Sequence, residues 1–307
     1  IRWFPADEVL RDTSSDKLLP PLVAELRKSV KIWRDNGYEG ASETSKILLK
    51  WWFETPHPQQ MTDGTVREFR YFFAQREAIE TIIYLYEVVQ IKDKYDLMRF
   101  DASGYVTGDL FDETWNRFVI KMATGSGKTK VLSLALAWSF FHKLYEPNST
   151  LSRNFLVIAP NIIVLDRIYK DFQGLRIFLK DDPILPDNGY GDRNWREDFQ
   201  LDLHIQDDVK ITKPYGNIFL TNIHRVYTGN ESIPSAEDEI TLEYFLGNRP
   251  VSSTEDSKID LGIIIRDVDE LMVLNDEAHH IHDPRMAWFK SIEDIHNRLL
   301  QKDSFLS

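Results

Sequence analysis

The sequence contains no cysteine and no long uninterrupted hydrophobic stretch. Without cysteine, disulfide bonds and thiolate metal sites are excluded, and a reducing compartment, the cytoplasm, is expected. The longest apolar runs, 81–91 and 131–141, are too short to span a bilayer, and there is no secretory signal, so we expect no membrane partner. At 307 residues and 42% hydrophobic composition, the chain can form one large α/β domain with additions or two smaller domains.

The formal net charge of -12 is unevenly distributed along the chain. Residues 181–210 hold nine acidic and three basic side chains, and residues 228–260 hold eight acidic and two basic ones. These two stretches therefore account for the whole net charge. We predict that both are acidic, loop-rich insertions, and that the rest of the chain can still present a basic face to a polyanion.

A glycine-rich segment is the most informative part of the sequence. It reads Met-Ala-Thr-Gly-Ser-Gly-Lys-Thr over 122–129, after the apolar run 118–120 and before the helical pattern 131–141. Glycines let the backbone turn tightly, so that its N–H groups and the positive end of the following helix can meet phosphate oxygens. The order of strand, glycine loop and helix therefore predicts a phosphate-binding loop.

This loop supplies the first half of a predicted nucleotide site. Lys128 is expected to reach the β and γ phosphates, and the Thr129 hydroxyl to bind Mg²⁺. The residues expected to bind the nucleotide are Ala123, Thr124, Gly125, Ser126, Gly127, Lys128 and Thr129. Met122 stands where the general pattern has its first glycine, and the alternative is a glycine turn between an ordinary strand and helix.

Short apolar strands alternate with helices through the second half of the chain. The runs 154–159, 217–221 and 271–275 predict buried strands, which indicates an α/β fold with a parallel sheet. Ligands of such sheets bind at the carboxyl ends of the strands. The motif Asp-Glu-Ala-His follows the last run and lies at such an end.

This acidic motif supplies the second half of the predicted site. Asp276 is expected to bind Mg²⁺ opposite Thr129. Glu277 is expected to orient and deprotonate the water that attacks the γ phosphate, and His279 to relay the presence of the triphosphate to a partner surface. The alternatives are a charged helix start capped by Asp276 and a transition-metal site at the histidine-rich segment 279–283.

Residues 1–64 are predicted to be a small helical extension followed by a linker, and 65–307 the ATP-binding domain. Apolar spacing predicts a helix over 21–35 and a second helix capped by Ser42, while 56–64 has linker composition. The tryptophans of the extension are expected in its core, with a docking surface as the alternative.

Gln75 lies near the start of another predicted amphipathic helix. A glutamine amide can match the acceptor and donor on the edge of adenine, so Gln75 is a candidate for base recognition. Tyr71 or Phe72 could stack on the base. The alternative is an ordinary surface glutamine.

Together these motifs resemble the first motor domain of superfamily 2 helicases and translocases. The resemblance is closest to the ATPase (Res) subunit of type III restriction enzymes. The segments that carry it are the glutamine motif 75–79, motif I at 122–129, motif Ia at 159–161, a nucleic-acid-contacting motif at 221–224 and motif II at 276–279.

The resemblance implies a three-layer RecA-like P-loop domain with a mainly parallel sheet, which uses ATP and Mg²⁺ and moves along DNA, with double-stranded DNA favoured. It also implies a second motor domain, expected to be absent from this chain, and a methyltransferase subunit as partner. The candidate nucleic-acid contacts are Asn161, Arg167, Asn222, His224 and Arg225. The alternatives left open are a P-loop kinase or metabolic ATPase and an ATP-binding docking module.

Overall fold

The structure is a computed structural model, and it describes two compact units of the chain. The helical unit comprises the described residues up to Ser149 together with Ile177–Phe199. The sheet unit comprises Thr150–Arg176 together with the described residues from Gln200 onward. The described residues are 21–61, 63–92, 94–101, 120–123, 125–205, 211–222, 268–276 and 297.

The described helices and strands are numbered along the chain. The helices are α1 (Pro21–Asp35), α2 (Glu43–Glu54), α3 (Phe73–Ile83), α4 (Lys128–Tyr145), α5 (Ile162–Phe172) and α6 (Trp195–Asp198). The strands are β1 (His57–Gln60), β2 (Val66–Phe69), β3 (Asn154–Ala159), β4 (Asp202–Ile205), β5 (Asn217–Asn222) and β6 (Met272–Asn275). Short 3-10 or π-helical turns lie at Tyr84–Val88, Lys94–Phe100, Gln173–Leu175, Ile177–Asp181 and Tyr190–Asp192.

The first two helices of the helical unit begin and end where their sequences predict. α1 covers 21–35 and stops before Gly37, whose φ of 69° is left-handed. α2 is capped by Ser42, whose side chain accepts a hydrogen bond from the Ser45 N–H at 3.2 Å. Local signals therefore determine both helices.

Tryptophans from these helices are core residues. The side chains of Trp33, Trp51 and Trp52 are buried. The indole N–H groups of Trp51 and Trp52 donate to the carbonyls of Pro183 and Ile184 at 2.9 and 2.7 Å. The predicted core role is confirmed, and these rings are not available as a docking surface.

Residues 56–64, predicted as a linker, contribute a strand instead. β1 pairs antiparallel with β2, so that His57 lies opposite Phe69 and Gln60 opposite Val66. Both strands are largely exposed, and Gly64 in their turn has a φ of 81°. The sequence has no alternating apolar pattern here, and the hairpin is held by backbone pairing and by contacts such as that of the buried His57 ring with the Trp51 carbonyl at 2.7 Å.

A buried carboxylate joins the N-terminal helices to the helix that carries Gln75. Glu80 on α3 is fully buried and accepts hydrogen bonds from Arg34 on α1, from Arg76 at 2.7 Å and from the Tyr38 hydroxyl at 2.7 Å. Burial and the neighbouring Glu80 raise the pKa of Tyr38, which keeps its hydroxyl a donor. The helices before and after residue 64 thus pack as one unit, and the predicted functional boundary there stays a prediction.

The sheet unit is built on four parallel strands in the order β4-β5-β3-β6. Every residue of β3 from Phe155 to Ala159 is buried, as a strand in the interior of a parallel sheet requires. α5 follows β3 and packs against β3 and β5 through Leu165, Ile168 and Phe172. The predicted α/β class with a parallel sheet is confirmed.

The stretch predicted as the first acidic insertion differs from that prediction. It contains the edge strand β4 and buried side chains, among them Trp195 and Phe199. A few buried apolar side chains anchor this stretch although most of its charged residues are acidic, and amino-acid composition alone does not predict such anchors. The second predicted insertion, 228–260, lies outside the described residues, and the predicted strand 118–120 is described only at Ile120, which is not in a strand.

Among the helices that the structure describes, none combines the length and apolar character needed to cross a bilayer.

The buried network around Glu80 generates a stability prediction. Glu80→Ala should lower the free energy of unfolding by about 3–5 kcal/mol, because two guanidinium groups lose a buried counter-charge. Urea unfolding measures the change. The control is Glu25→Ala, which removes an exposed ion pair with Lys28 and should change stability by less than about 0.5 kcal/mol. Equal effects of the two substitutions would contradict the assigned role of Glu80.

Candidate nucleotide-binding site

The glycine loop lies at the N-terminus of α4. Gly125 and Gly127 have φ values of 78° and 81°, in the left-handed region that favours glycine. Ser126 closes the turn, because its N–H and hydroxyl donate to the Ala123 carbonyl at 3.2 and 2.6 Å. Gly127 is the N-cap of α4. The predicted tight turn is therefore present, except for Thr124, which lies outside the described residues.

The helix behind the loop is firmly anchored. Every residue of α4 from Ser133 to His142 is buried, so the helix cannot shift without disrupting the core of the helical unit. Lys128 and Thr129 form its first turn and are half-buried. The N–H groups of a first turn have no partner within the helix, and they carry its positive partial charge. The loop and helix can therefore bind an anion.

Gln75 contacts this loop directly. Its amide nitrogen donates to the Ser126 carbonyl at 3.0 Å, and its amide oxygen accepts from the Phe72 N–H at 2.8 Å. The side chain is almost fully buried, with 1% of the residue exposed. Two predicted motifs that are 51 residues apart in sequence are thus joined by one side chain. Both ends of the amide bind protein groups, so the amide is not a surface group.

The contact depends on the missing side chain of Gly127. A Cβ added to Gly127 would lie 2.3 Å from the Gln75 amide nitrogen, far inside van der Waals contact. At Gly125 an added Cβ would meet nothing within 4 Å. Both glycines therefore provide a left-handed backbone, but only Gly127 also makes room for Gln75.

The structure separates the two aromatic residues predicted to stack on a base. Tyr71 packs edge-on against Phe53 and Phe69, and its buried hydroxyl has no hydrogen-bond partner. Burial raises the pKa of Tyr71 well above its usual value. Phe72 is 64% exposed and directly precedes the helix that carries Gln75. Phe72 is therefore the ring that a base can reach.

Lys130 is a second cation near the loop, and sequence reasoning missed its role. Its ammonium pairs with Asp182 at 2.5 Å and lies 4.7 Å from the centre of the Phe69 ring. The ring contact holds the first turn of α4 against β2 of the hairpin, and the ion pair holds it against Asp182. The pattern Gly-Lys-Thr-Lys offered a signal, but Asp182 lies in the stretch predicted as an insertion, so the pair was not predictable.

Asp276 lies at the carboxyl end of β6 in the sheet unit. Its N–H donates to the Ile158 carbonyl at 3.0 Å, which extends the pairing of Ile158 with Asn275 by one residue. The side chain of Asp276 is only 8% exposed, and its oxygen lies 3.9 Å from the Arg167 guanidinium. A carboxylate at this position fits Mg²⁺, which prefers oxygen ligands.

An unpaired donor lies beside this aspartate. The amide nitrogen of Asn275 is buried and has no hydrogen-bond partner. Buried polar groups are nearly always satisfied, so an exception at a predicted site indicates a place for a ligand or water. No signal in the sequence distinguished Asn275 from the other residues of the strand.

Several predicted residues lie outside the described residues. They are Thr124, His224, Arg225, Glu277 and His279. The histidine-rich segment 279–283 is also outside them, so the transition-metal alternative is not tested there. Within the described part of the chain, no cluster of three or more His, Asp or Glu side chains could hold a metal ion.

The described nucleic-acid candidates share the carboxyl edge of the sheet. Asn222 ends β5 opposite Ala159, and Asn161 follows β3 by two residues. The Asn161 side chain caps α5, because its oxygen accepts from the Val164 N–H at 3.0 Å. Lys128 and Thr129 belong to the helical unit and Asp276 to the sheet unit, so their predicted convergence stays a prediction.

The sequence of this chain matches the model of one known protein family. The model of the family described as type III restriction enzyme, res subunit, matches residues 68–304, which is well over half of the chain. The match confirms the resemblance drawn from the motifs. Searches of curated proteins and of solved structures gave no significant match.

The close approach of Gln75 to Gly127 predicts unequal effects of two alanine substitutions. Gly125→Ala should cost about 1–2 kcal/mol of stability, because alanine is strained at positive φ. Gly127→Ala should cost about 1–3 kcal/mol more, because its Cβ displaces the buried Gln75 amide from its hydrogen bonds to Phe72 and Ser126. Urea unfolding of both variants measures the difference. Equal losses would show that Gln75 is not held against the loop.

Proposed function

The chain belongs to the type III restriction enzyme res subunit family and carries a helicase-like ATPase domain, and we propose that it is the ATP-binding and ATP-hydrolysing half of a DNA translocase or helicase. The observation that carries the proposal is the contact between the Gln75 amide and the Ser126 carbonyl. It places the glutamine motif directly beside the glycine loop, and this proximity supports a single nucleotide site formed by both motifs.

The loop residues are proposed to bind the triphosphate. Backbone N–H groups at Gly125 and Gly127 and the positive end of α4 would surround the phosphate oxygens, with Lys128 at the β and γ phosphates. The left-handed backbone of both glycines and the anchored helix support this assignment. The binding residues are proposed to be Ala123, Thr124, Gly125, Ser126, Gly127, Lys128 and Thr129.

Thr129 and Asp276 are proposed to hold the Mg²⁺ ion of the nucleotide. The ion would offset the charge that develops on the β and γ phosphates. Glu277 is proposed to orient and deprotonate the attacking water, and His279 to relay nucleotide binding to a partner surface. The buried carboxylate of Asp276 supports a metal ligand here. The unpaired amide nitrogen of Asn275 is a donor for a water or another acceptor and not a ligand of the ion.

Gln75 and Phe72 are proposed to recognise adenine. The exposed Phe72 ring would stack on the base. The Gln75 amide would pair with the acceptor and donor of the base edge by giving up its present hydrogen bonds to the loop and to Phe72. Such an exchange would make the position of the loop sensitive to the base.

Double-stranded DNA is proposed as the partner along which the motor moves. Its phosphates would be bound at the carboxyl edge of the sheet by Asn161, Arg167, Asn222, His224 and Arg225. By analogy with the family, a restriction or defence role, a methyltransferase partner, a second motor domain in the same parent chain and a cytoplasmic location are also proposed.

Two substitutions in the full-length protein test the nucleotide site. Lys128→Ala should abolish ATP binding, because it removes the cation at the β and γ phosphates. Glu277→Gln should leave ATP binding intact and block turnover, because the water loses its base. Binding of a fluorescent ATP analogue and steady-state ATP hydrolysis with and without DNA measure both. The complete motor is needed, since an arginine finger contributes about 10³ to 10⁵ in rate where it is used.

The control variant is Lys121→Ala, which removes an exposed lysine just before the loop and should change neither measurement. Normal hydrolysis by Glu277→Gln would show that the base is assigned to the wrong residue. Hydrolysis that DNA does not stimulate would favour the metabolic ATPase or kinase alternative. Nucleotide binding without any turnover would favour a docking module.

A further inference from the structure

An arginine of α5 lies beside the aspartate proposed to bind the metal. The guanidinium nitrogen of Arg167 and the carboxylate oxygen of Asp276 are 3.9 Å apart. This distance is too long for a hydrogen bond, so the contact is one between charges. The two side chains differ sharply in environment, because Arg167 is 61% exposed and Asp276 is 8% exposed.

The fold fixes the aspartate and leaves the arginine free to move. The backbone of Asp276 is held by its hydrogen bond to Ile158, and the neighbouring strand β3 is buried from Phe155 to Ala159. α5 packs its apolar side chains, such as Leu165 and Ile168, against the sheet, and Arg167 projects from between them to the solvent-exposed side. The guanidinium can therefore change partner without any change in the backbone.

The charges explain why the arginine lies there. A carboxylate removed from water is destabilised unless a cation is near, and the Arg167 guanidinium is such a cation. A long pair with one exposed partner is weak and easily replaced. A divalent ion at the same carboxylate would repel the guanidinium strongly at such short range.

We propose that Arg167 acts as a replaceable counter-ion of Asp276: binding of the metal and nucleotide releases its guanidinium, which then binds a phosphate of the DNA. The inference rests on the proposed function, since it takes Asp276 as the metal ligand and DNA as the partner. Arginine suits both positions, because its planar donors bind carboxylate and phosphate alike.

Thermodynamic reciprocity gives the exchange a functional consequence. If metal and nucleotide raise the affinity for DNA by releasing Arg167, then DNA raises the affinity for metal and nucleotide by the same factor. Arg167 would thus be a positioning residue that couples the two ligands. It would contact Asp276 in the absence of metal and a DNA phosphate in its presence.

The test uses the full-length protein and two variants of α5, Arg167→Gln and Lys170→Gln. Lys170 is an exposed basic residue on the same helix and is the matched control. The first readout is the affinity for a fluorescent non-hydrolysable ATP analogue with and without Mg²⁺. Arg167→Gln should increase the gain from Mg²⁺ about two- to five-fold, because the competing cation is gone. Lys170→Gln and Arg167→Lys should keep the gain of the wild type.

The second readout is the affinity for duplex DNA, measured by fluorescence anisotropy with and without Mg²⁺ and the analogue. The wild type and Lys170→Gln should bind DNA more tightly when the nucleotide is present. In Arg167→Gln, the gain in DNA affinity from the nucleotide should be about two- to five-fold smaller than in the wild type. Lys170→Gln loses the same positive charge, so a general loss of charge would affect both variants equally.

The outcomes separate this inference from the proposed function. If Lys128→Ala binds the analogue as tightly as the wild type, the proposed nucleotide site is wrong and the inference fails with it. If binding requires Lys128 but Arg167→Gln matches Lys170→Gln in both readouts, the nucleotide site stands and only the inference is overturned.

Discussion

One buried amide connects the glycine loop to the helix that carries the glutamine motif. Gln75 binds the Phe72 N–H and the Ser126 carbonyl together, and it reaches the loop only because Gly127 has no side chain. The same helix carries Glu80, which binds arginine side chains from α1 and α3. Polar contacts therefore connect the glycine loop, α3 and the N-terminal helices, with Gln75 at the loop end of α3 and Glu80 at the end that contacts α1.

In the sheet unit, a carboxylate on a fixed backbone lies beside an exposed guanidinium. Parallel pairing and a backbone hydrogen bond set the place of Asp276, while the exposed Arg167 contacts it only through charge. Fixed ligands reduce the reorganisation needed when charge develops in a reaction, and a movable cation provides a response to ligand binding. The chain belongs to a family with a helicase-like ATPase domain, and we propose that these two properties serve its use of ATP.

Much of the fold was predictable where signals are local. The bounds of α1, the cap at Ser42 and the buried strand β3 follow from apolar spacing and turn residues. The hairpin at β1 and the structured stretch around Trp195 were not predictable from the sequence. Strand pairing determines the first, and a few buried side chains determine the second. At the site, the glycine loop was evident from sequence. The place of the Gln75 amide was not, because its partner lies far along the chain.

We propose that Lys128, Thr129 and Asp276 bind one Mg²⁺ ion and one ATP molecule. A crystal structure of the full-length protein with Mg²⁺ and a non-hydrolysable ATP analogue tests it most directly. We expect the triphosphate in the glycine loop and a single metal bound by the Thr129 hydroxyl and, directly or through water, by the Asp276 carboxylate. A nucleotide bound elsewhere, or a metal held without Asp276, would contradict it.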